Sequence, residues 1–79
     1  MTNYEKYLNV FTKMFSVTEE EAVQLEYQGI PDWDSVGHME LVAAIEETFD
    51  IMMDTDDIID FNSFEKGKEL LSKNYTIEF

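Results

Sequence analysis

The sequence contains no cysteine, so disulfide bonds, thiolate metal sites and cysteine nucleophiles are excluded. Any thiol chemistry therefore has to be brought by a bound group. No apolar run approaches the roughly 18 residues of a membrane-spanning helix, and the charged, amphipathic segment 1–15 has no signal-peptide core. These absences predict a cytoplasmic protein that makes no use of a membrane.

Positive charge is also scarce. Five Lys and Arg residues oppose 18 Asp and Glu residues, which gives a net charge of -13, and neither Lys nor Arg occurs between Lys13 and Lys66. A surface this acidic repels nucleic acids and anionic membranes and attracts basic protein surfaces. We therefore expect cationic enzymes, or metal ions, as partners, and no nucleic acid.

Alternating strand patterns are missing as well, whereas helical periodicity recurs along the chain. At 79 residues we expect a monomer with one domain, residues 1–79. Such a chain buries only about 60% of the surface that its unfolded form exposes, so a deep enclosed active site is not expected. The pattern favours a small all-α bundle. Four helices are predicted, over residues 3–15, 35 to 48 or 49, 54 or 55 to 59, and from Asn62 or Ser63 to just before Tyr75.

The long connection between the first two helices, residues 16–34, contains one further signal. Thr18 and Glu21 form a capping-box pattern that predicts one or two helical turns through residue 23. The segment 28–32, which includes Gly29 and Pro31, then breaks any helix. The connection is therefore expected to be mostly loop.

The second predicted helix begins at Ser35, with Asp34 as its N-cap. A helical wheel separates its residues into two arcs, of which the apolar one must face the core. The core arc consists of Leu41, Val42, Ala44, Ile45 and Phe49. The other arc combines a modest apolar strip with carboxylates, and its members are Ser35, Val36, Met39, Glu40, Ala43, Glu46 and Glu47. We interpret this second arc as a docking face for a basic, partly apolar groove on a partner.

Ser35 is the candidate site on this helix. A phosphodiester on its hydroxyl would lie beside the free N–H groups of the first turn, where the positive end of the helix dipole favours an anion. Taken alone, the residue is better interpreted as an ordinary capping or first-turn serine. The residues that follow it reverse this preference.

The segment from Asp34 to Ile51, DSVGHMELVAAIEETFDI, closely resembles the prosthetic-group segment of acyl carrier proteins. The resemblance covers the rest of the chain more loosely, through helix order, loop length and acidity. It differs from the usual family pattern at Val36, where Leu is common, and at Asp32, where Gly is common, with Trp33 beside it. These differences affect the identity of the partners more than the modification. With Gly37, His38 and Met39 after Ser35, the segment resembles specialised stand-alone carrier proteins more than the housekeeping fatty-acid carrier.

The resemblance implies a four-helix bundle of acyl-carrier-protein type, with three longer helices, one short helix and a long loop between the first and second. It also implies that Ser35 carries 4'-phosphopantetheine, transferred from coenzyme A by a phosphopantetheinyl transferase. The thiol of that group would hold acyl or aminoacyl cargo as a thioester for partner enzymes of fatty acid, polyketide or other secondary biosynthesis. Those partners would be loading ligases, synthases or acyltransferases with basic docking surfaces.

Each residue of the segment receives an expected role. Asp34 caps the helix and positions Ser35, and the chain itself performs no turnover. Leu41, Ile45 and Phe49 belong to the core. Partner recognition is expected from Val36, Met39, Glu40, Ala43, Glu46 and Glu47.

The nature of the cargo stays open. A fatty acid, a hydroxy acid or an amino acid would each suit a carrier of this kind. A long acyl chain has a route into the bundle if the five Met and six Phe residues pack loosely enough to yield.

Three other functions compete with this interpretation. A small acidic adaptor without a prosthetic group would use the same docking face and leave Ser35 unmodified. A hydrolase would pair Ser35 with His38, but a bundle of this size offers little concave surface for an oxyanion site.

Two neighbouring rings have simpler explanations. His38 is better explained as a half-buried residue covering the loop. Trp33 is likewise expected to pack that loop onto the bundle.

A metal site is the third competing function. Asp54, Asp56, Asp57 and Asp60 are clustered, and the first two imitate the start of an EF-hand loop. Ile58 and Ile59 then occupy the positions that need a ligand and a glycine, although Glu65 falls at the twelfth position. We expect no dedicated metal site.

Overall fold

A computed structural model describes all 79 residues and contains five helices. Four of them have an N-cap residue whose side chain accepts a hydrogen bond from a backbone N–H of the first turn. Each such bond satisfies a donor that the helix itself leaves free. None of the five is both long and apolar enough to span a membrane. The helices are α1 (Asn3–Phe15), α2 (Glu19–Ala22), α3 (Ser35–Phe49), α4 (Thr55–Asp60) and α5 (Phe64–Asn74).

The molecule is all-α, as predicted, but it has five helices rather than four. The additional helix is α2, where the sequence predicted only one or two turns. The Thr18 hydroxyl accepts the Glu21 N–H at 3.1 Å, and the Glu21 carboxylate accepts the Thr18 N–H at 2.9 Å. The Thr18 backbone N–H, and next its side chain, lower the pKa of the Glu21 carboxyl. The capping box is therefore complete and sufficient to close one short helix.

Aromatic side chains fill the centre of the core. Phe11 lies among five other buried rings, of which the nearest three are Phe64 at 4.9 Å, Tyr7 at 5.0 Å and Trp33 at 5.7 Å between centroids. The Tyr7 hydroxyl donates to the carbonyl of Phe64 at 2.7 Å. The core can therefore bury a tyrosine without leaving its polar atom unpaired.

The loop before α3 is tied to the rest of the molecule at two points. Trp33 is completely buried and stacks on Phe15 at 5.6 Å, which confirms that this ring packs the loop onto the bundle. The backbone N–H of Tyr27 donates to the carbonyl of Asn62 at 2.8 Å, and that of Phe64 donates to Leu25 at 3.0 Å. The loop is therefore held both to α1 and to the start of α5.

The short helix α4 buries none of its own side chains fully. Its first residues are held instead by Tyr75, whose hydroxyl accepts the Asp54 N–H and donates to the Asp57 carboxylate, both at 2.7 Å. The Asn74 amide also donates to Asp57, at 3.0 Å. Hydrogen bonds from the end of α5 thus position α4.

The C-terminal tail folds back across the bundle. The N–H of Ile77 donates to Leu71, and the side-chain amide of Asn3 donates to the carbonyl of Glu78. Phe79 lies 5.4 Å from Tyr7 and 6.2 Å from Phe49. Phe49 was predicted to be a core residue, but its side chain is only half-buried. It lies at the end of α3, and the tail covers it from one side.

Candidate functional site

Ser35 is the first residue of α3, and its side chain is exposed. Asp34 is the N-cap, as predicted: its carboxylate accepts the N–H of Gly37 at 2.8 Å and its carbonyl accepts that of His38 at 2.8 Å. The hydroxyl of Ser35 therefore lies at the positive end of a 15-residue helix. Two donors of that first turn are already satisfied by Asp34.

Gly37 allows the loop to contact the first turn of α3 directly. A Cβ atom at this position would collide with the carbonyl oxygen of Asp32. Only a residue without a side chain permits this approach. The backbone on both sides of Ser35 is therefore fixed, by the Asp34 cap and by the Asp32 contact.

A groove of about 390 Å³ opens beside Ser35, between the start of α3 and α4. Its volume lies at the lower end of the range for small-molecule sites. Most of its surface is apolar, and Ser35 lies on its rim. The residues that line it are Tyr27, Ser35, His38, Met39, Ile58, Ile59, Phe61 and Asn62.

His38 links the two sides of this groove through both nitrogens of its ring. Nδ1 accepts the indole N–H of Trp33 at 3.0 Å, and Nε2 lies 2.7 Å from the carbonyl oxygen of Ile58. An indole nitrogen can only donate, so Nδ1 must be unprotonated and the proton is on Nε2, which donates to Ile58. We call this pair of bonds the His38 bridge.

The His38 bridge bears on the competing hydrolase interpretation. A general base for Ser35 needs a free ring nitrogen within hydrogen-bond reach of the serine hydroxyl. Both nitrogens of His38 are occupied by other partners. The half-buried ring also lies nearly coplanar with the indole of Trp33, edge to edge, with the centroids 6.2 Å apart, so it covers the loop as the sequence indicated.

The predicted docking face on α3 divides into exposed residues and one partly buried residue. Val36 is 66% exposed and Met39 is 54% exposed. Glu46 differs, because it is half-buried and its carboxylate accepts the backbone N–H of Met53 at 2.8 Å. Glu46 therefore positions the loop after α3. The exposed members of the face are Ser35, Val36, Met39, Glu40, Ala43 and Glu47.

The acidic cluster of α4 does not form a metal centre. Nowhere in the molecule do three or more His, Cys, Asp or Glu side chains come together in an arrangement that could hold a metal ion. Both oxygens of the Asp57 carboxylate accept hydrogen bonds, from Asn74 and Tyr75. Asp57 therefore connects α4 to the end of α5.

Sequence reasoning missed the α4 side of the groove. Ile58 and Ile59 form an apolar pair within a helix whose other members are Thr55 and three aspartates. Ile59 is 71% exposed, and with Val36 and Met39 it gives the surroundings of Ser35 an apolar character. This pair is detectable in the sequence, because two large apolar residues in such a short acidic helix indicate a contact surface.

Comparison with models of protein families, with curated proteins and with solved structures finds no match to this chain.

Proposed function

We propose that this chain is an acyl carrier protein, in which Ser35 carries 4'-phosphopantetheine and the bundle delivers acyl or aminoacyl groups to partner enzymes. One observation carries the proposal: an exposed serine hydroxyl lies at the capped N-terminus of the longest helix and on the rim of an apolar groove. The resemblance of residues 34–51 to the prosthetic-group segment supports the same assignment.

The modification requires little of the protein itself. The Ser35 oxygen attacks the phosphorus that bears the pantetheine arm in coenzyme A, and the bond from that phosphorus to the bisphosphoadenosine leaving group breaks. The serine proton is released, so that the products are a phosphodiester on Ser35 and adenosine 3',5'-bisphosphate. The N-terminal end of α3 favours the negative charge that Ser35 receives.

The fold proposed for this function is the carrier-type bundle. In it α1, α3 and α5 are the three longer helices and α4 is the short one. Helix α2 is an addition within the long loop between α1 and α3. The protein would act as a cytoplasmic monomer without a catalytic residue of its own. Its partners would be a phosphopantetheinyl transferase and enzymes that load or use the cargo through basic surfaces.

The mass of the intact protein tests the proposal. We expect one added phosphopantetheine after incubation with coenzyme A and a broad-specificity phosphopantetheinyl transferase. Ser35→Ala should gain nothing, whereas Ser72→Ala, which removes an exposed serine on α5, should be modified as the parent is. A folded parent protein that gains no mass would contradict the assignment.

An acidic adaptor is the second candidate function. The observation in its favour is the exposure of three large apolar side chains, Val36, Met39 and Ile59, in a part of the chain without Lys or Arg. Such a surface suits a basic partner with an apolar centre whether or not Ser35 is modified. Failure of the mass test in a folded sample would favour this function.

A further inference from the structure

The groove beside Ser35 has a closed floor. His38 and Phe61 line it, and behind them lies Trp33, with ring centroids 6.2 Å and 6.3 Å away. Trp33 and Phe61 are 0% and 1% exposed. A group that enters the groove from Ser35 therefore meets packed aromatic rings before it reaches the centre of the bundle.

The His38 bridge also closes the passage between α3 and α4. Its ring connects the indole of Trp33 on one side to the backbone carbonyl of Ile58 on the other. A chain that passed between the two helices at this level would have to break one or both bonds. The Trp33 N–H belongs to a fully buried side chain, so breaking its bond leaves a donor without a partner away from water.

The size of the groove limits what it can hold. A volume of about 390 Å³ corresponds to about a dozen non-hydrogen atoms, if each takes roughly the 30 Å³ of a water molecule in the liquid. The apolar walls formed by Met39, Ile58 and Ile59 favour a hydrocarbon or aromatic group over a polar one. The groove therefore suits a short apolar group.

We propose that a group carried on Ser35 is held in this surface groove alone, because the His38 bridge closes the bundle core to it. With the phosphopantetheine arm folded back along the surface, so that only its thioester end enters the groove, the cargo class is a short apolar acyl or aminoacyl group, and a long acyl chain would remain largely in solvent. This inference rests on the proposed function for the identity of the cargo. The closed floor itself can be tested without that function.

The test uses the absence of cysteine from the chain. Ser35→Cys supplies one thiol, which alkyl methanethiosulfonates from ethyl to dodecyl convert to mixed disulfides. Their chains then start at the rim of the groove without any transferase. Ser72→Cys, on the exposed face of α5, carries the same chains as the matched control.

Trp33 is the only tryptophan, so its indole N–H gives a single signal in a proton–nitrogen correlation spectrum. We expect the amide signals of Met39 and Ile59 to shift with every chain attached to the Ser35→Cys variant and with none attached to Ser72→Cys. The indole signal should keep its position for all chain lengths, and its exchange with deuterium should stay within about twofold of the unmodified rate, because the bond to His38 is intact.

Two results would overturn the proposal. If octyl to dodecyl chains move the indole signal or accelerate its exchange well beyond twofold, the chain enters the core past His38. If Met39 and Ile59 do not respond to any chain, the groove does not hold the attached group. Because no coenzyme A is involved, either result is distinct from failure of the phosphopantetheine transfer.

A second variant tests the role of His38. In Ser35→Cys with His38→Ala the passage is open, and the melting temperature should continue to rise as the chain lengthens from butyl to dodecyl. In Ser35→Cys alone it should level off once the groove is filled. If the two series have the same dependence on chain length, His38 does not close the core. The spectra of the Ser35→Cys series decide the main question even if the double variant does not fold.

Discussion

The helices α4 and α5 are neighbours held in place by different forces. Helix α5 buries Phe64, Gly67, Leu70 and Leu71, whereas α4 buries no side chain fully and depends on hydrogen bonds from His38, Asn74 and Tyr75. Buried apolar side chains must be exposed to water before a helix can open, which costs free energy. A helix held by a few exposed hydrogen bonds opens locally at a lower free energy. The comparison teaches that α5 is anchored by its buried side chains, whereas α4, one wall of the proposed cargo groove, depends on a few hydrogen bonds that include the His38 bridge.

The largest expected effect on the free energy of unfolding concerns the firmly packed helix α5. Phe64→Ala should reduce the free energy of unfolding by about 3–5 kcal/mol, because a completely buried ring is replaced by a cavity. Ile59→Ala on α4, where the side chain is 71% exposed, should cost less than about 0.5 kcal/mol. Urea denaturation of both variants measures the contrast. Similar losses in the two would show that α4 is packed as firmly as α5.

The Tyr7 hydroxyl makes the hydrogen bond that joins α1 to the start of α5. Tyr7→Phe removes its 2.7 Å bond to the Phe64 carbonyl and should cost about 1 kcal/mol at neutral pH. Burial, reinforced by the charge of Glu65, raises the pKa of Tyr7. The folded state thus favours the neutral phenol, and this contribution to stability is full below the unfolded pKa of about 10 and is lost as pH rises further.

Urea denaturation between pH 7 and pH 11 measures this effect. The parent protein should lose stability above about pH 10 more steeply than Tyr7→Phe, because the Tyr7 phenol ionises in the unfolded state while burial keeps it neutral in the folded state. Tyr4→Phe is the control, since Tyr4 is only half-buried. Equal alkaline slopes in the parent and in Tyr7→Phe would contradict the assignment of this loss to Tyr7.

The hydroxyl of Tyr75 is the matching contact on the weakly held side. Tyr75→Phe removes its bonds to the Asp54 N–H and the Asp57 carboxylate. The global cost should be at most about 1 kcal/mol, but the amides of α4 should exchange about tenfold faster while those of α5 keep their protection. Hydrogen exchange followed by NMR distinguishes local from global opening. Faster exchange in α5 as well would mean that the two helices open together.

The smallest effect on stability is expected at the docking face. Glu40→Lys with Glu47→Lys should change the free energy of unfolding by less than about 0.5 kcal/mol, since both side chains are exposed. The same pair should slow modification by a basic transferase and weaken its salt dependence. Glu65→Lys with Glu69→Lys makes the same charge change on exposed positions of α5. Equal modification rates in the two double variants would contradict the assignment of partner recognition to α3.

Local signals in the sequence were sufficient for most helix boundaries. The caps Thr2, Asp34 and Ser63 each act within three residues along the chain, so their effect can be derived without knowing the fold. Asp50 closes α3 in a left-handed conformation that Asp tolerates better than most residues. Periodicity identified the central core positions Leu41 and Ile45 correctly: both are fully buried, because residues four apart lie on the same face of a regular helix.

The contacts that shape the candidate site lie beyond such reasoning. His38 and Ile58 are 20 residues apart, and Asp57 and Tyr75 are 18 residues apart, so only the packing of α3, α4 and α5 brings them together. Glu46 was assigned to partner recognition from its position on the wheel, but a loop seven residues later uses its carboxylate. Helical periodicity places a residue on a face and does not say which backbone group will reach it.

The positions of the methionines determine where an oxidant would act. Sulfur occurs in this chain only as thioether, and Met52 and Met53 are adjacent, yet one is 87% exposed and the other 7%. Peroxide should therefore convert Met52 to the sulfoxide while Met53 is spared. Met39, at the edge of the groove and 54% exposed, is open to the same attack. Its sulfoxide would make the apolar entrance beside Ser35 polar, and a reductase that repairs methionine sulfoxide would restore it.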